Sequence, residues 1–212
     1  MTVLPTALLT VAVLALSAYV LLFSISVVLI PGFAVRPAGD PQDADCYIVM
    51  GFGLGDRADG QIRAGESNRA LAQLLLERNE QGKPAIVQYG VFLGIQELLE
   101  GEYVDRNIKW LVTLPHDDHY YVDTRIAAFQ SLALMHRMDL KQPALIAHPD
   151  QLGRVVSIFR HVPLGGPPIV PSLPHMPYDR RSAHPWTHSR EAYRTFELFV
   201  SRPRTVFGML LC

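Results

Sequence analysis

The feature that most constrains this chain is an apolar run from Val3 to Ile30 that contains no charged side chain. As an α-helix rising about 1.5 Å per residue, the run would be about 42 Å long, whereas about 20 apolar residues cross a bilayer. A helix that is apolar on every face is hard to bury in a small soluble domain. The sequence therefore predicts a membrane anchor over residues 1–34, with residues 3–30 in the lipid bilayer, and one domain over residues 35–212.

A cleaved signal peptide is the alternative interpretation of this run. Signal peptides have a basic n-region and an apolar stretch of roughly 7–15 residues. Here no Lys or Arg precedes the run, the run is about twice that length, and residues 32–34 form only a weak cleavage site. We therefore favour an uncleaved single-pass anchor. The nearest basic residue, Arg36, is too little to assign the membrane side by the positive-inside rule.

Composition limits the remaining function classes. The net charge is −1 and no block of Lys and Arg is present, so nucleic-acid binding is not expected. The two cysteines, Cys46 and Cys212, lack C-x-x-C spacing and indicate neither a zinc ribbon nor a disulfide framework. We favour two buried thiols over a single bridge between them.

Short apolar runs alternate with helical patterns along the rest of the chain. Strands are predicted at residues 46–50, 85–89, 110–114 and 144–147, with a weak fifth at 169–170. Helices are predicted at residues 66–80, 95–100, 126–135, 152–159 and 189–200. This order indicates an α/β domain whose sheet is mostly parallel and covered by helices on both faces. We expect Ile48, Val87, Val112 and Leu145 to lie buried in neighbouring strands, with ligands at the strands' carboxyl ends.

The first predicted strand runs into a glycine-rich loop, GFGLGDRADG. Gly51, Gly53 and Gly55 would let the backbone approach a ligand closely, and amides in this loop are candidates for holding an anion. The dinucleotide fingerprint does not fit, because Asp56 occupies its third glycine position, and no G-K-[ST] of a P-loop follows. A ligand-binding loop and a plain turn that needs positive φ both remain open.

Several segments together resemble the bacterial SanA/YdcF/ElyC family. They are IVMGFG at the first strand, Asp59-Gly60, Asn68-Arg69-Ala70 on the first helix, Asp123-Thr124-Arg125 at a helix start, and LIAHPDQLGRVVSIFR. The match spans roughly residues 45–161 in the family's order and spacing. The chain departs from the family at Gln88-Tyr89-Gly90, where the family has Ser-Gly-Gly, and at Gln151, where it has histidine.

The resemblance carries expectations about fold, ligand and location. It implies a Rossmann-like three-layer sandwich that binds a nucleotide-like or phosphorylated small molecule. It also implies a role in the cell envelope, at the bacterial inner membrane, and favours the periplasmic side for the domain. It does not specify a reaction or a cofactor.

The candidate site residues lie just after strands or at helix starts. His148 follows the fourth strand and is the candidate catalytic residue, because an imidazole titrates near neutral pH. The candidate ligand-binding residues are Gly51, Gly53, Gly55, Asp59, Arg69, Gly90, Asp123, Thr124, Gln151 and Arg154. Asp123 and Thr124 also fit helix capping. Each arginine could clamp an anion or form a structural salt bridge, and we expect Arg154 to point an unpaired guanidinium into the cleft.

Two further segments have open interpretations. Residues 116–119, His-Asp-Asp-His, suit a divalent metal by residue type. Adjacent side chains in an extended loop point in opposite directions, so we favour a surface loop and predict no metal site. The apolar residues 206–211 either pack on the domain or touch the membrane or a partner.

Two functional hypotheses follow from these observations. The first is a membrane-anchored SanA/YdcF/ElyC-like protein that binds a phosphorylated or nucleotide-like ligand. Any reaction would use His148, and Arg69 and Arg154 would bind the anion. The second is a non-catalytic envelope protein with a decayed pocket that acts through a protein partner. The retained glycines and arginines favour the first hypothesis, whereas the changes at residues 88–90 and 151 favour the second.

Overall fold

The computed structural model describes the chain except residues 1–2, 31, 34, 56, 59–60, 100–110, 114–122, 163, 165 and 211–212. For residues 3–6, 29, 57–58, 61, 111–113 and 208–210 the structure describes the backbone alone. The elements in chain order are α1 (Val3–Leu29), β1 (Cys46–Val49), β2 (Arg57–Ala58), β3 (Gln61–Ile62), α2 (Gly65–Arg78), β4 (Ala85–Val87), α3 (Tyr89–Leu98), β5 (Leu111–Thr113), α4 (Thr124–Arg137), β6 (Pro143–Ile146), α5 (Pro149–Arg160), α6 (Arg190–Phe196) and α7 (Arg202–Leu210).

The N-terminal run forms a single continuous helix, as the sequence predicts. Within α1, the stretch Ala7–Val28 is long and apolar enough to cross a membrane, and only 6% of its most apolar window is buried by the rest of the protein. Near the end of the helix the surroundings change, because Ser26 and Ile30 are buried. The protein therefore has one N-terminal helix whose length and composition suit a membrane span.

A small, open, all-parallel sheet forms the centre of the domain. Its strands lie in the order β5-β4-β1-β6. Ile48 is in register with Ile86 and Leu145, and β4 pairs with β5, so the predicted set of neighbouring parallel strands is confirmed. The weak fifth strand is reduced to isolated bridges at Ile169 and Val170. A short antiparallel ladder of β2 with β3, which the sequence pattern did not reveal, begins within the glycine-rich loop.

Alternation along β1 divides the core into two clusters. Tyr47 and Val49 belong to one cluster with residues of α2 and α3, whereas Ile48 and Met50 belong to the other with residues of α4 and α5. Successive side chains of a strand point to opposite faces, so one strand supplies both clusters. Cys46 also lies in the second cluster as a buried free thiol.

The helix after β4 begins earlier than predicted, which corrects the expected start at residue 95. Residues Tyr89–Leu98 form α3, so Gly90 lies inside a helix. The reason is close packing: a Cβ on Gly94 would lie 2.9 Å from the Asn68 carbonyl oxygen of α2, so α2 and α3 approach closely. Buried Val91 and Ile95 complete this contact and stabilise the helix from its first turn.

The C-terminal helix is longer than the predicted residues 189–200. Here α6 continues through a π-helical turn, Glu197–Ser201, into α7. We call residues 190–210 the C-terminal helical segment. This segment packs against α1: the Tyr19 hydroxyl donates to the Phe199 carbonyl at 2.6 Å, and the rings of Phe23 and Phe199 stack with centroids 5.5 Å apart. The domain is therefore held to the N-terminal helix by its own C-terminal end.

Candidate functional site

The glycine-rich loop leaves β1 at the carboxyl edge of the sheet, as predicted. The Gly51 N–H donates to Gln88 Oε1 at 2.6 Å, and the Phe52 N–H donates to Asn68 Oδ1 at 2.8 Å. The Asn68 amide group in turn donates to the Gly53 carbonyl at 3.2 Å. These two loop amides are therefore already bonded within the protein, and an anion could use them only if Gln88 and Asn68 moved.

The individual glycines have backbone roles. Gly53 has φ of +73°, which supports the interpretation of a turn that needs positive φ. Gly55 lies against the backbone of Arg63, where no side chain would fit. Gly90 faces the Asn68 side chain, and a Cβ there would lie 2.7 Å from Nδ2. These glycines position Asn68 against the loop rather than leave an open cradle.

His148 lies at the centre of the edge and caps α5. Its Nδ1 accepts from the Asp150 N–H at 3.3 Å, and its ring stacks on Phe52 with centroids 3.9 Å apart. The side chain is 2% exposed. Burial lowers the pKa of His148 to about 4, although the nearby Asp150 carboxylate acts in the opposite direction. The pKa is thus well below the near-neutral value expected from sequence, and the ring is neutral at pH 7.

The tautomer of His148 follows from its hydrogen bonds. Because Nδ1 accepts the Asp150 N–H, the neutral ring carries its proton on Nε2. Nε2 is buried, and among the described residues it has no hydrogen-bond partner. The backbone of Met176 acts to raise the pKa of His148, but it does not form a hydrogen bond with Nε2. A neutral imidazole with a buried, unbonded N–H is a hydrogen-bond donor, not a general acid poised near pH 7.

Asp150 collects three donors from the far part of the chain. Its carboxylate accepts from the Tyr178 hydroxyl, from Arg190 Nε at 3.2 Å and from Arg194 Nη2 at 3.0 Å. Burial alone would raise the pKa of Asp150, but the hydrogen bonds from Tyr178 and Arg194 outweigh it and the net pKa is lowered. Asp150 is therefore an ionised anchor that ties α5 to the C-terminal helical segment.

The loop before that segment covers the start of α2. The Asp179 carboxylate accepts the Glu66 N–H at 3.2 Å, and the Ser67 hydroxyl donates to the Pro177 carbonyl at 2.8 Å. Tyr178, between them, contacts the Phe52 ring edge-on and reaches Asp150. The loop thus lies over the edge where a ligand was expected.

Arg154 contradicts the expectation of an unpaired guanidinium. Its Nε lies 3.0 Å from the carboxylate of Glu197, with 5% of the arginine side chain and none of the glutamate side chain exposed. Its Nη2 also lies 3.4 Å from the Tyr193 hydroxyl. The partner was missed because Glu197 is 43 residues further along the chain, on the C-terminal helical segment. Arg154 is a buried, paired residue, which is the structural salt bridge that the sequence left as an alternative.

The other predicted residues separate into two groups. Thr124 accepts from Gln151 Nε2 at 3.0 Å, and Asp123 caps α4 by accepting the Ile126 N–H at 2.9 Å, so both lie near Arg154 at the edge. Arg69 does not join them, because its exposed guanidinium pairs with Glu97 of α3 at 2.6 Å. Asp59, the segment 116–119 and Cys212 lie outside the described residues.

Residues that were not among the candidate site residues organise the edge. They are Asn68, Gln88, Asp150, Tyr178, Tyr193 and Glu197. One signal was available: Glu197 stands in the apolar stretch FELFV, four residues after Tyr193, so both fall on one helix face. Within the described part of the chain, no group of three or more His, Cys, Asp or Glu side chains is arranged to hold a metal ion.

Comparisons with protein-family models, with curated proteins and with solved structures found no match. The resemblance to the SanA/YdcF/ElyC family therefore stays a prediction from the motifs. What this edge does must be argued from its own contacts.

Proposed function

We propose that this protein is a membrane-anchored envelope protein of the SanA/YdcF/ElyC-like kind that acts through a protein partner rather than as a catalyst. Its α/β domain would be the family's Rossmann-like three-layer sandwich, at the bacterial inner membrane and on the periplasmic side. One observation carries the proposal: the groups that would hold an anion at the carboxyl edge are paired within the protein. Gly51 and Phe52 donate to side chains, and Arg154 is bonded to Glu197.

The chemistry of the edge supports the same proposal. An anion-binding site needs cations or N–H donors that gain a partner when the ligand arrives. Arg154 would have to leave a fully buried carboxylate, which costs several kcal/mol. His148 is neutral at pH 7 and stacked on Phe52, and its pKa is far from neutral, so it is poorly suited to act as a general acid or base near pH 7.

The packing of α1 supports an uncleaved anchor over a cleaved signal peptide. Tyr19 and Phe23 contact Phe199, and Ser26 and Ile30 are buried against the protein. Removal of the helix would uncover the apolar face of the C-terminal helical segment and leave the Phe199 carbonyl without its donor. A segment that completes the fold in this way is better retained than removed.

A second candidate, binding of a phosphorylated or nucleotide-like small molecule, is favoured by two buried polar atoms. His148 Nε2 and Gln151 Oε1 have no hydrogen-bond partner within the described residues, and both lie in the first turn of α5 or just before it. A buried polar atom without a partner costs about 1–3 kcal/mol, which a ligand or an ordered water would recover. Gln151 also replaces a histidine of the family's motif.

Thermal unfolding of the full chain in detergent separates the two candidates. The ligands to add are nucleotides, S-adenosylmethionine and isoprenoid phosphates, because a ligand that binds only the folded state raises Tm by mass action. We expect no saturable rise. A rise in Tm that Gln151→Leu abolishes and Gln73→Leu preserves would overturn the proposal of a non-catalytic protein that acts through a partner. It would favour ligand binding at the carboxyl edge instead. Gln73 is the matched control because it is exposed on α2 and bonded only to Glu77 at 2.9 Å among the contacts described.

A further inference from the structure

We propose that the C-terminal helical segment is a second membrane-inserted element, with Phe199, Val200 and Phe207 in contact with lipid beside α1. This inference rests on the proposed membrane anchor and adds a surface to it. It would place the domain in direct contact with the bilayer, rather than attached to it through α1 alone.

The contacts with α1 set the depth of the segment. Tyr19 and Phe23, which hold Phe199, lie inside the candidate span Ala7–Val28, nine and five residues before its end. At about 1.5 Å per residue, these positions are roughly 7–14 Å inside the end of the apolar stretch. If α1 crosses the bilayer, Phe199 is carried into the bilayer with it.

The exposed surface of the segment is apolar at these positions. Phe199, Val200 and Phe207 are 52%, 46% and 51% exposed. The helix α1 that Phe199 contacts is also apolar and exposed, and its Val27 and Val28 are 51% and 82% exposed. Soluble proteins rarely expose a continuous apolar surface of this kind, whereas a bilayer covers it without cost.

The charged side chains between residues 197 and 207 are buried or paired with the domain. Glu197 and Arg202 are buried, with Arg202 Nε 3.6 Å from the Glu197 carboxylate that Arg154 also contacts. Arg204 is exposed, but its Nη2 lies 3.6 Å from Asp123 of the domain. An arginine near a membrane surface can direct its head group to the aqueous side in this way.

The backbone of the segment is also suited to an apolar medium. Residue 203 is proline, which has no N–H, so the Phe199 carbonyl lacks the usual donor four residues ahead. The Tyr19 hydroxyl supplies a donor at 2.6 Å. In lipid each backbone polar group needs a partner from the protein, and α1 provides one at the position where proline removes it.

Spin labelling of the full chain in vesicles of phosphatidylcholine and phosphatidylglycerol tests the inference. Single labels go on Val200→Cys, on Val13→Cys in α1 and on Met138→Cys at the far end of α4, all in a Cys212→Ser background. Native Cys46 is buried and does not react. All three sites are exposed side chains, so the fold is retained, and thermal unfolding of each variant checks this.

The measurement is collision with oxygen, which enters lipid, and with a nickel chelate, which stays in water. We expect the labels at 200 and 13 to collide with oxygen and to lose access to nickel, and the label at 138 to keep it. Nickel access at 13 would refute the anchor itself. Protection at 13 with nickel access at 200 would overturn this inference and leave the anchor standing. Protection at 200 from both reagents would also overturn it, because protein and not lipid would then cover the site.

Discussion

Two arginine–glutamate pairs in this molecule have the same chemistry and opposite surroundings. Arg69 of α2 pairs with Glu97 of α3 at 2.6 Å, with 54% and 27% of the two side chains exposed. Arg154 of α5 pairs with Glu197 of the C-terminal helical segment at 3.0 Å, with 5% and 0% exposed. The shorter pair lies in water and the longer pair inside the protein. Distance alone therefore does not rank their importance.

The difference lies in what happens when one partner is lost. An exposed ion pair contributes about 0–1 kcal/mol, because water solvates whichever charge remains. Loss of one partner from a buried pair costs about 3–5 kcal/mol, since the remaining charge stays buried without hydration or a counter-charge. The exposed Arg69–Glu97 pair can therefore be broken at small cost, whereas the buried Arg154–Glu197 pair cannot.

The largest effect is expected for Arg154→Ala. We expect the free energy of unfolding to fall by about 3–5 kcal/mol, because Glu197 would stay buried with Arg202 at 3.6 Å and the neutral Tyr193 hydroxyl at 3.0 Å in place of its bonded arginine. Urea unfolding of the full chain in detergent measures the change. Adding Glu197→Gln, which removes the stranded charge, should recover part of the loss. A loss below about 1 kcal/mol would contradict the buried pair and return Arg154 to the role of a ligand clamp facing water.

An intermediate effect is expected from His148, and it depends on pH. The folded pKa of about 4 lies below the unfolded value of 6.5, so the unfolded state binds more protons between these pH values. Stability is therefore complete above pH 6.5 and is lost as pH falls towards 4. A shift of this size corresponds to about 3 kcal/mol. The measurement is the free energy of unfolding at pH 7.5 and 4.5.

Variants separate His148 from other groups that titrate in this range. His148→Gln should reduce the pH dependence, and His136→Gln, at an exposed position of α4, is the matched control for replacing a histidine by glutamine. Burial also lowers the pKa of His184, which retains its own share of the slope in both variants. An unchanged slope in His148→Gln would mean that the ring is reached by water and is not held neutral by Phe52 and its surroundings.

The same contrast explains how far the sequence could predict this molecule. The parallel strands and the Asp123 cap of α4 depend on nearby residues, and the sequence predicted both. The early start of α3 depends on close packing against α2 at Gly94, which no local pattern reveals. The partner of Arg154 lies 43 residues away, and only the folded chain brings Glu197 to it. Residue types predicted which groups are polar and reactive, but not which of them satisfy one another.

The smallest effect is expected for Arg69→Ala, the exposed counterpart of Arg154→Ala. The free energy of unfolding should fall by less than about 1 kcal/mol, because the remaining Glu97 carboxylate is partly solvated. Glu97→Ala should cost more than Arg69→Ala, since Glu97 Oε1 also accepts the Ala64 N–H at 3.0 Å just before α2. Urea unfolding under the conditions used for Arg154 compares the three variants directly. If Arg69→Ala cost as much stability as Arg154→Ala, solvent exposure would not be the property that distinguishes the two pairs. Arg69 would then need a buried partner whose loss water could not compensate.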